Sequence, residues 1–457
     1  MTNKLGSLLK DLPVDEKIDL IQQTKISELD DESLSFLVSF ISDNDKGIRS
    51  CLTICLTDSE DERLPKMLVK YISSSEISIR NLAGEILVNM NSGSVDAILD
   101  YLNKSENYDD QKFCIDLLGL IKDNRAEETI IKLLDATKDQ NVKLSCIEAL
   151  GKLKTYSAID QIINCYEEDE LYKPTVNEAL GKIGSKKALK FMLEKYSIED
   201  DLTKYSIIEG LGLIGDIDTF FFLLSELNNV SEPLTWVILT SVYQLREKFN
   251  LDVPFDDKVK TTVLNTIYNA QPEFKKAAVH LLKEFNDKEI LSACLQSMGY
   301  DFELDEILKS KVLENSEQAV LSFPVTLKKE LKNVEIILGL VDEVIESLNK
   351  PVTAYLNGLN LRSFIDSLSN YLNHPDEEAR RIAMNLLFKI DPKTAVLFTD
   401  KMLNDDNLWN KLRLIDNLTG MDDDTSLTLL YKLSKDPEIM VSKRASEIIT
   451  EKTSIEN

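Results

Sequence analysis

A cation recurs at Arg49, Arg80, Lys112, Lys143, Lys173 and Lys204, in steps of 31, 32, 31, 30 and 31 residues. A glycine keeps the same rhythm at Gly119, Gly151, Gly181 and Gly212, seven or eight residues after the cation each time. Two markers phased together over this length are what one structural unit, copied along a chain, produces. This rhythm limits the fold more than length does, because a stack of units grows by addition and has no domain-sized ceiling.

The most regular copy, DQNVKLSCIEALGKLK at 139–154, shows what the unit is. Val142, Cys146, Ile147, Leu150 and Leu153 recur at three- and four-residue steps, the stripe of an amphipathic helix that ends at Gly151 or shortly after. A second helical stripe follows from Ala158, with Ile159, Ile162, Ile163 and Tyr166 on one side. The unit is therefore a helical hairpin of about 31 residues, and one hairpin cannot bury both of its faces. An acid stands three or four residues before each cation, at Asp45, Glu76, Asp109, Asp139, Glu170 and Asp201. Such an acid fits a helix start, where free amides and the positive end of the dipole favour it. The cation can then reach the acid of its own unit or of the next, as a ladder holding helix starts in register.

Segments such as NEALGKIGSKKALKFMLEKY (177–196) and IEGLGLIGDIDTFFFLLSEL (208–227) resemble HEAT repeats, and are most similar to the short HEAT-like type named after phycobilisome lyases. The match departs from the pattern in two ways. Lys stands for the usual Arg from Lys112 onward, and the phased glycine is missing before Gly119. The resemblance covers about 43–228 and returns near the C-terminal end. It implies an all-α fold, a right-handed α-α superhelix in which helical hairpins stack as a HEAT-like solenoid.

On this reading the chain has four parts. Residues 1–42 form an N-terminal helical cap with helices at 15–23 and 33–41, and 43–249 form the repeat array. In 250–372 the markers fade, which fits divergent helical repeats or a hinge, with a small inserted helical domain as the competing view. Residues 373–457 return to the pattern: Asp376 precedes Arg380 by four, and Lys411 follows Arg380 by 31.

Charge narrows the partners. Asp and Glu number 79 against 53 Lys and Arg, a net charge of −26, which repels phosphate backbones and anionic lipid surfaces. The expectation is no nucleic acid and no membrane insertion, since the longest apolar runs, at 220–224 and 336–341, fall far short of the roughly 20 residues a spanning helix needs. The opening residues lack the apolar core of a signal peptide, so a cytoplasmic location is expected. HEAT-like DNA glycosylases, which use a basic concave face, are disfavoured for the same reason of charge.

Catalytic signatures are not found. The only histidines are His280, inside an apolar helical stretch, and His374, ahead of Pro375 at a helix start, and neither is followed by Glu as in the di-iron hydroxylases built from HEAT repeats. Cys51, Cys114 and Cys146 occupy nearly equivalent core positions in their units, and the Cys51/Cys55 pair has no further ligand nearby to complete a metal site. No GxxxxGK[ST] phosphate loop occurs. We expect no catalytic residue, no metal and no cofactor.

One ordered set of carboxylates stands out. Glu85, Glu148, Glu178 and Glu209 lie five residues after the repeat cation, and Asp116 lies four after Lys112. Stacked helices place equivalent positions about 10 Å apart, so the five form a column. The plain explanation is a solvated face that keeps a long array soluble. The functional one is a groove, on the surface that HEAT-like solenoids commonly make concave, for a basic segment of a protein partner. The leading expectation is thus a non-enzymatic scaffold or adaptor that binds a protein partner along the solenoid surface. The alternative is a HEAT-like enzyme or enzyme subunit of the bilin-lyase type. The oligomeric state is not legible in the sequence.

Overall fold

The computed structural model describes residues 12–227, 229–251 and 255–455, and among these every regular element is a helix. The chain divides into two compact units, one ending at Asn250 and one beginning at Leu251.

The first unit contains α1 (Val14–Gln23), α2 (Asp31–Ser39), α3 (Lys46–Thr57), α4 (Leu64–Leu68), α5 (Ile77–Asn89), α6 (Val95–Leu102), α7 (Tyr108–Ile121), α8 (Glu127–Ala136), α9 (Gln140–Leu153), α10 (Ile159–Tyr166), α11 (Lys173–Ile183), α12 (Lys186–Tyr196), α13 (Asp201–Ile214), α14 (Ile217–Glu226) and α15 (Glu232–Phe249). The odd-numbered helices, which carry the cations and glycines, stack on one another in one layer, most closely from α7 to α15. Even-numbered helices form the second layer; from α6 onward each packs on the odd helix that follows it, and they touch one another far less. This is a HEAT-like solenoid of helical hairpins.

The glycines explain the close layer. A Cβ at Gly151 would lie 2.7 Å from the Cα of Ala179, one at Gly119 3.0 Å from the Cβ of Ala149, and one at Gly181 3.1 Å from the Cα of Gly210. Backbones meet there, so the glycine, in the last turn of its helix, is a packing residue. The helix ends at Leu153, shortly after Gly151 as expected, and Lys154 takes the left-handed conformation that closes it.

Helix starts follow the expected acids only in part. Asp45 accepts from the amide of Ile48 at 3.1 Å, Asp139 from Val142 at 3.0 Å and Asp376 from Ala379 at 2.8 Å. For α7 the capping residue is Asn107 and for α13 it is Asp200, each one or two positions ahead of the acid the spacing picks out. Glu76 makes no side-chain cap bond, and Glu170 sits inside a short 3-10 turn capped by Asp169. The cap needs a short side chain on an extended residue just outside the helix, a geometry worth about 1 kcal/mol that spacing alone does not locate.

The cations make the ladder, and chiefly toward the next repeat. Lys143 reaches Glu168 at 2.5 Å, Lys173 reaches Glu199 at 2.8 Å, and Arg80 lies 3.6 Å from Asp110. In each case the acid stands just before or at the start of the next odd helix. Cys114 and Cys146 are fully buried and Cys51 nearly so, as core positions should be.

The second unit contains α16 (Asp257–Asn269), α17 (Pro272–Leu281), α18 (Lys288–Gln296), α19 (Phe302–Glu314), α20 (Ser316–Thr326), α21 (Val334–Ser347), α22 (Gly358–Tyr371), α23 (Glu377–Ile390), α24 (Pro392–Ala395), α25 (Thr399–Leu403), α26 (Leu408–Thr419), α27 (Asp424–Leu433) and α28 (Ile439–Ile455). Helices α17, α19, α21, α23, α26 and α28 stack in one layer, and α16, α18, α20 and α22 in the other. Two-layer stacking therefore continues through the stretch where the sequence markers fade. The ladder returns with them: Arg380 holds Asp405 through two bonds of 2.9 Å, and Lys411 holds Asp436 at 2.9 Å. No helix among the described residues is long and apolar enough to cross a membrane.

Candidate functional site: an acidic column on the close-packed layer

Glu85, Asp116, Glu148, Glu178 and Glu209 lie on α5, α7, α9, α11 and α13, one per helix of the close-packed layer. Glu85, Glu178 and Glu209 are exposed, and Asp116 and Glu148 are half-buried. Ala149, Ala179 and Gly210, the residues that follow the last three acids, are those against which Gly119, Gly151 and Gly181 close. The glycine rhythm thus sets the distance from one column acid to the next.

Three of the five acids have a cation on their own helix. Lys112 bonds Asp116 at 2.7 Å, Lys152 bonds Glu148 at 2.7 Å and Lys182 bonds Glu178 at 2.5 Å. Such one-turn pairs contribute about 0.3–0.5 kcal/mol each and leave the acids wet. Glu148, the residue of its repeat to which sequence alone assigns no structural task, therefore has one. The column is an acid and lysine ladder more than a bare acidic strip. Its negative end is at Glu209, whose carboxyl is pushed above the ordinary glutamate range first by burial and then by the neighbouring Glu178.

In the second unit the same register position holds Asn385 and Asp416, five residues after Arg380 and Lys411. Here arginines cover it. Arg413 donates to Asn385 at 3.0 Å, and Arg444 lies 4.0 Å from Asp416 and 3.8 Å from Glu447. Arg381 pairs with Glu378 on its own helix. These side chains, with Trp409 (61% exposed) and Met440 (54% exposed), line a groove of about 750 Å³ across α21, α23, α26 and α28. Sequence reasoning passed over this groove. The steps from Arg381 to Arg413 to Arg444 are 32 and 31, the rhythm of the array, and were the signal that could have found it.

Among the described residues no group of three or more His, Cys, Asp or Glu is placed to hold a metal ion. His374 accepts from the amide of Asp376 at 3.2 Å through Nδ1, at the start of α23, and His280 is half-buried on α17. The Cys55 thiol is pushed up to about 11, by burial and then by Cys51, and so is a poor nucleophile and metal ligand at neutral pH.

The architecture defines a class, the HEAT-like α-solenoids. Residues 95–173 match the profile of the HEAT repeats family, and a HEAT-repeat domain is present there. The match runs from the start of α6 to the first residue of α11, so its phase pairs each even helix with the odd helix after it. No curated protein sequence matches the chain significantly. Among solved structures, the chain is similar to the complex of CpcE and CpcF of phycocyanin lyase from Nostoc sp. PCC7120, at 17% identity and TM-score 0.35 over 54% of this chain and 94% of that one. It is also similar to Kap121p bound to RanGTP, at 11% identity and TM-score 0.47 over 91% of this chain and 48% of that one. A third likeness is to importin beta, at 12% identity and TM-score 0.43 over 98% of this chain and 74% of that one.

Proposed function

We propose that the protein is a scaffold or adaptor that binds a protein partner along its solenoid surface, and that the first unit takes a basic, extended segment of that partner on the acidic column. The observation that carries this reading is the column itself, with one carboxylate on each of five odd helices in turn and, from Asp116 to Glu209, a spacing fixed by close backbone approach. Two features support it. In the first unit the odd layer packs much more closely than the even one, as it would in a stack curved toward the odd layer with the column on its inner side. The net charge of −26 adds a long-range field that draws a basic partner in.

The test uses a fluorescent lysine-rich peptide and measures anisotropy at low and at moderate salt. The wild-type protein should bind it, with affinity falling as salt rises. Glu178→Lys combined with Glu209→Lys should weaken binding at least tenfold while the helical circular dichroism stays unchanged, because both positions face solvent. Equal binding by the double variant, or binding insensitive to salt, would remove the column from the proposal. Glu209 offers a second readout. Its raised carboxyl disfavours the charged form, so its contribution to stability declines as pH rises through its folded value; a cation docked beside it should bring that value back toward the ordinary 4.5.

A further inference from the structure

Within the second unit, where the repeat markers are faintest, α16, α17, α19 and the connection between α20 and α21 enclose a pocket of about 320 Å³. Lys275 from α17 and Lys332 from the connection both line it. Three lysines of the same helices have carboxylate partners. Lys260 has Asp287 at 2.7 Å, Lys276 has Glu303 at 3.3 Å and Lys309 has Glu343 at 2.8 Å. Lys275 and Lys332 have no carboxylate within 4 Å among the described residues.

The rest of the wall is mixed, with Gln296 and Ser297 beside apolar and aromatic side chains. Leu304 and Leu308 form part of it, with Tyr268 and Tyr300 at 43% and 60% exposure. The Lys275 ammonium lies 5.8 Å from the Tyr300 ring centre, and Lys329 stands 5.9 Å from that of Tyr268. Two carboxylates also line the pocket, and neither pairs with the lysines. Asp301 accepts from the amide of Leu304 at 3.0 Å, and Glu330 is exposed at the rim. The frame is fixed. Gly299, at φ +87°, donates its amide to both oxygens of Asp305 at 2.9 and 3.0 Å, and Asn333 donates to the carbonyl of Met298 at 2.8 Å. These bonds tie the loop that carries Tyr300 to the connection that carries Lys332.

We propose that this pocket binds a small oxyanion, a phosphate monoester or a carboxylate, carried on a flat apolar body, with Lys275 and Lys332 on the anion and the tyrosines and leucines on the body. An anion bridging the two ammonium groups relieves their repulsion. Burial, followed by the charge of Lys332, holds the Lys275 ammonium below the ordinary lysine value, the direction expected of a partly buried cation near another cation. A buried apolar body adds the part of the affinity that charge alone cannot hold against salt.

The experiment is calorimetric titration of the full chain with phenyl phosphate, benzoate and inorganic phosphate at low salt. Phenyl phosphate or benzoate should bind at least tenfold more tightly than inorganic phosphate, and the stronger of the two identifies the anion. Lys275→Ala with Lys332→Ala should lower that affinity at least tenfold, while Lys276→Ala, which removes only an exposed ion pair, should not change it. The bound ligand should also protect Lys275 from an amine-reactive label at pH 8.5. Equal affinity in the wild type and the Lys275/Lys332 variant would overturn the proposal, as would no heat and no protection with any of the three at millimolar concentration.

Discussion

Arg380 shows how much of this structure is held by single pairs. It grips Asp405 with two 2.9 Å bonds, and the two side chains are only 12% and 7% exposed. Burial opposes the charge on Asp405, and the Arg380 bonds with those of Asn407 and Asn410 outweigh it, so its carboxyl is held below the ordinary aspartate value of 3.8. A depressed acid stabilises the fold above that ordinary value, and the contribution is lost as pH falls through the folded value. Arg380→Leu would leave Asp405 buried with only its amide donors, and should cost about 3 kcal/mol at neutral pH in a denaturant titration. The deficit should shrink as the pH approaches 4, because a protonated Asp405 no longer needs the arginine. A deficit that stays constant between pH 7 and pH 4 would show that the guanidinium acts through packing. None of these partners was legible in the sequence. The cation rhythm is visible because it repeats; Glu168, Asp405 and Asp436 each lie 25 residues after their cation, but only the folded contacts single them out among the many acids of the connections.

Helices give the clearest contrast between a residue that packs and one that merely occupies a position. Gly151 in α9 meets the backbone of α11 at Ala179, whereas a Cβ at Gly339, in α21, would have nothing within 4 Å. Gly151→Ala should therefore destabilise by about 2 kcal/mol, since the neighbouring helix must move. Gly339→Ala should stabilise by about 0.5–1 kcal/mol through helix propensity alone. Thermal unfolding of the two variants against wild type checks both signs at once. Here the sequence was largely sufficient, because a glycine recurring every 30 to 32 residues in mid-stripe marks close approach. It was insufficient for α16 to α22. The helices there were visible as apolar stripes, but the pocket at Lys275 and Lys332 joins residues 57 positions apart that share no rhythm, and only the packed structure brings them together.

At the scale of the whole molecule the two units present different chemistry at one register position. In the first, carboxylates stand at the surface with lysines one turn away; in the second, arginines lie over Asn385 and Asp416. The five column acids could be read from sequence as a set. Their partial neutralisation could not, since a lysine four residues on is as compatible with open solvent as with pairing. The glycine contacts carry one more consequence. Neighbouring helices packed this tightly sit about 8–10 Å apart, and three residues of an extended chain cover about 10 Å. The odd-helix layer is therefore a ruler with one mark for every third residue of a polyproline II segment laid across it, whose side chains return to one face every three residues. A peptide with lysine at every third position should bind more tightly than one of equal charge with lysine at every second, and lengthening it should add affinity in steps of three residues until the marks run out.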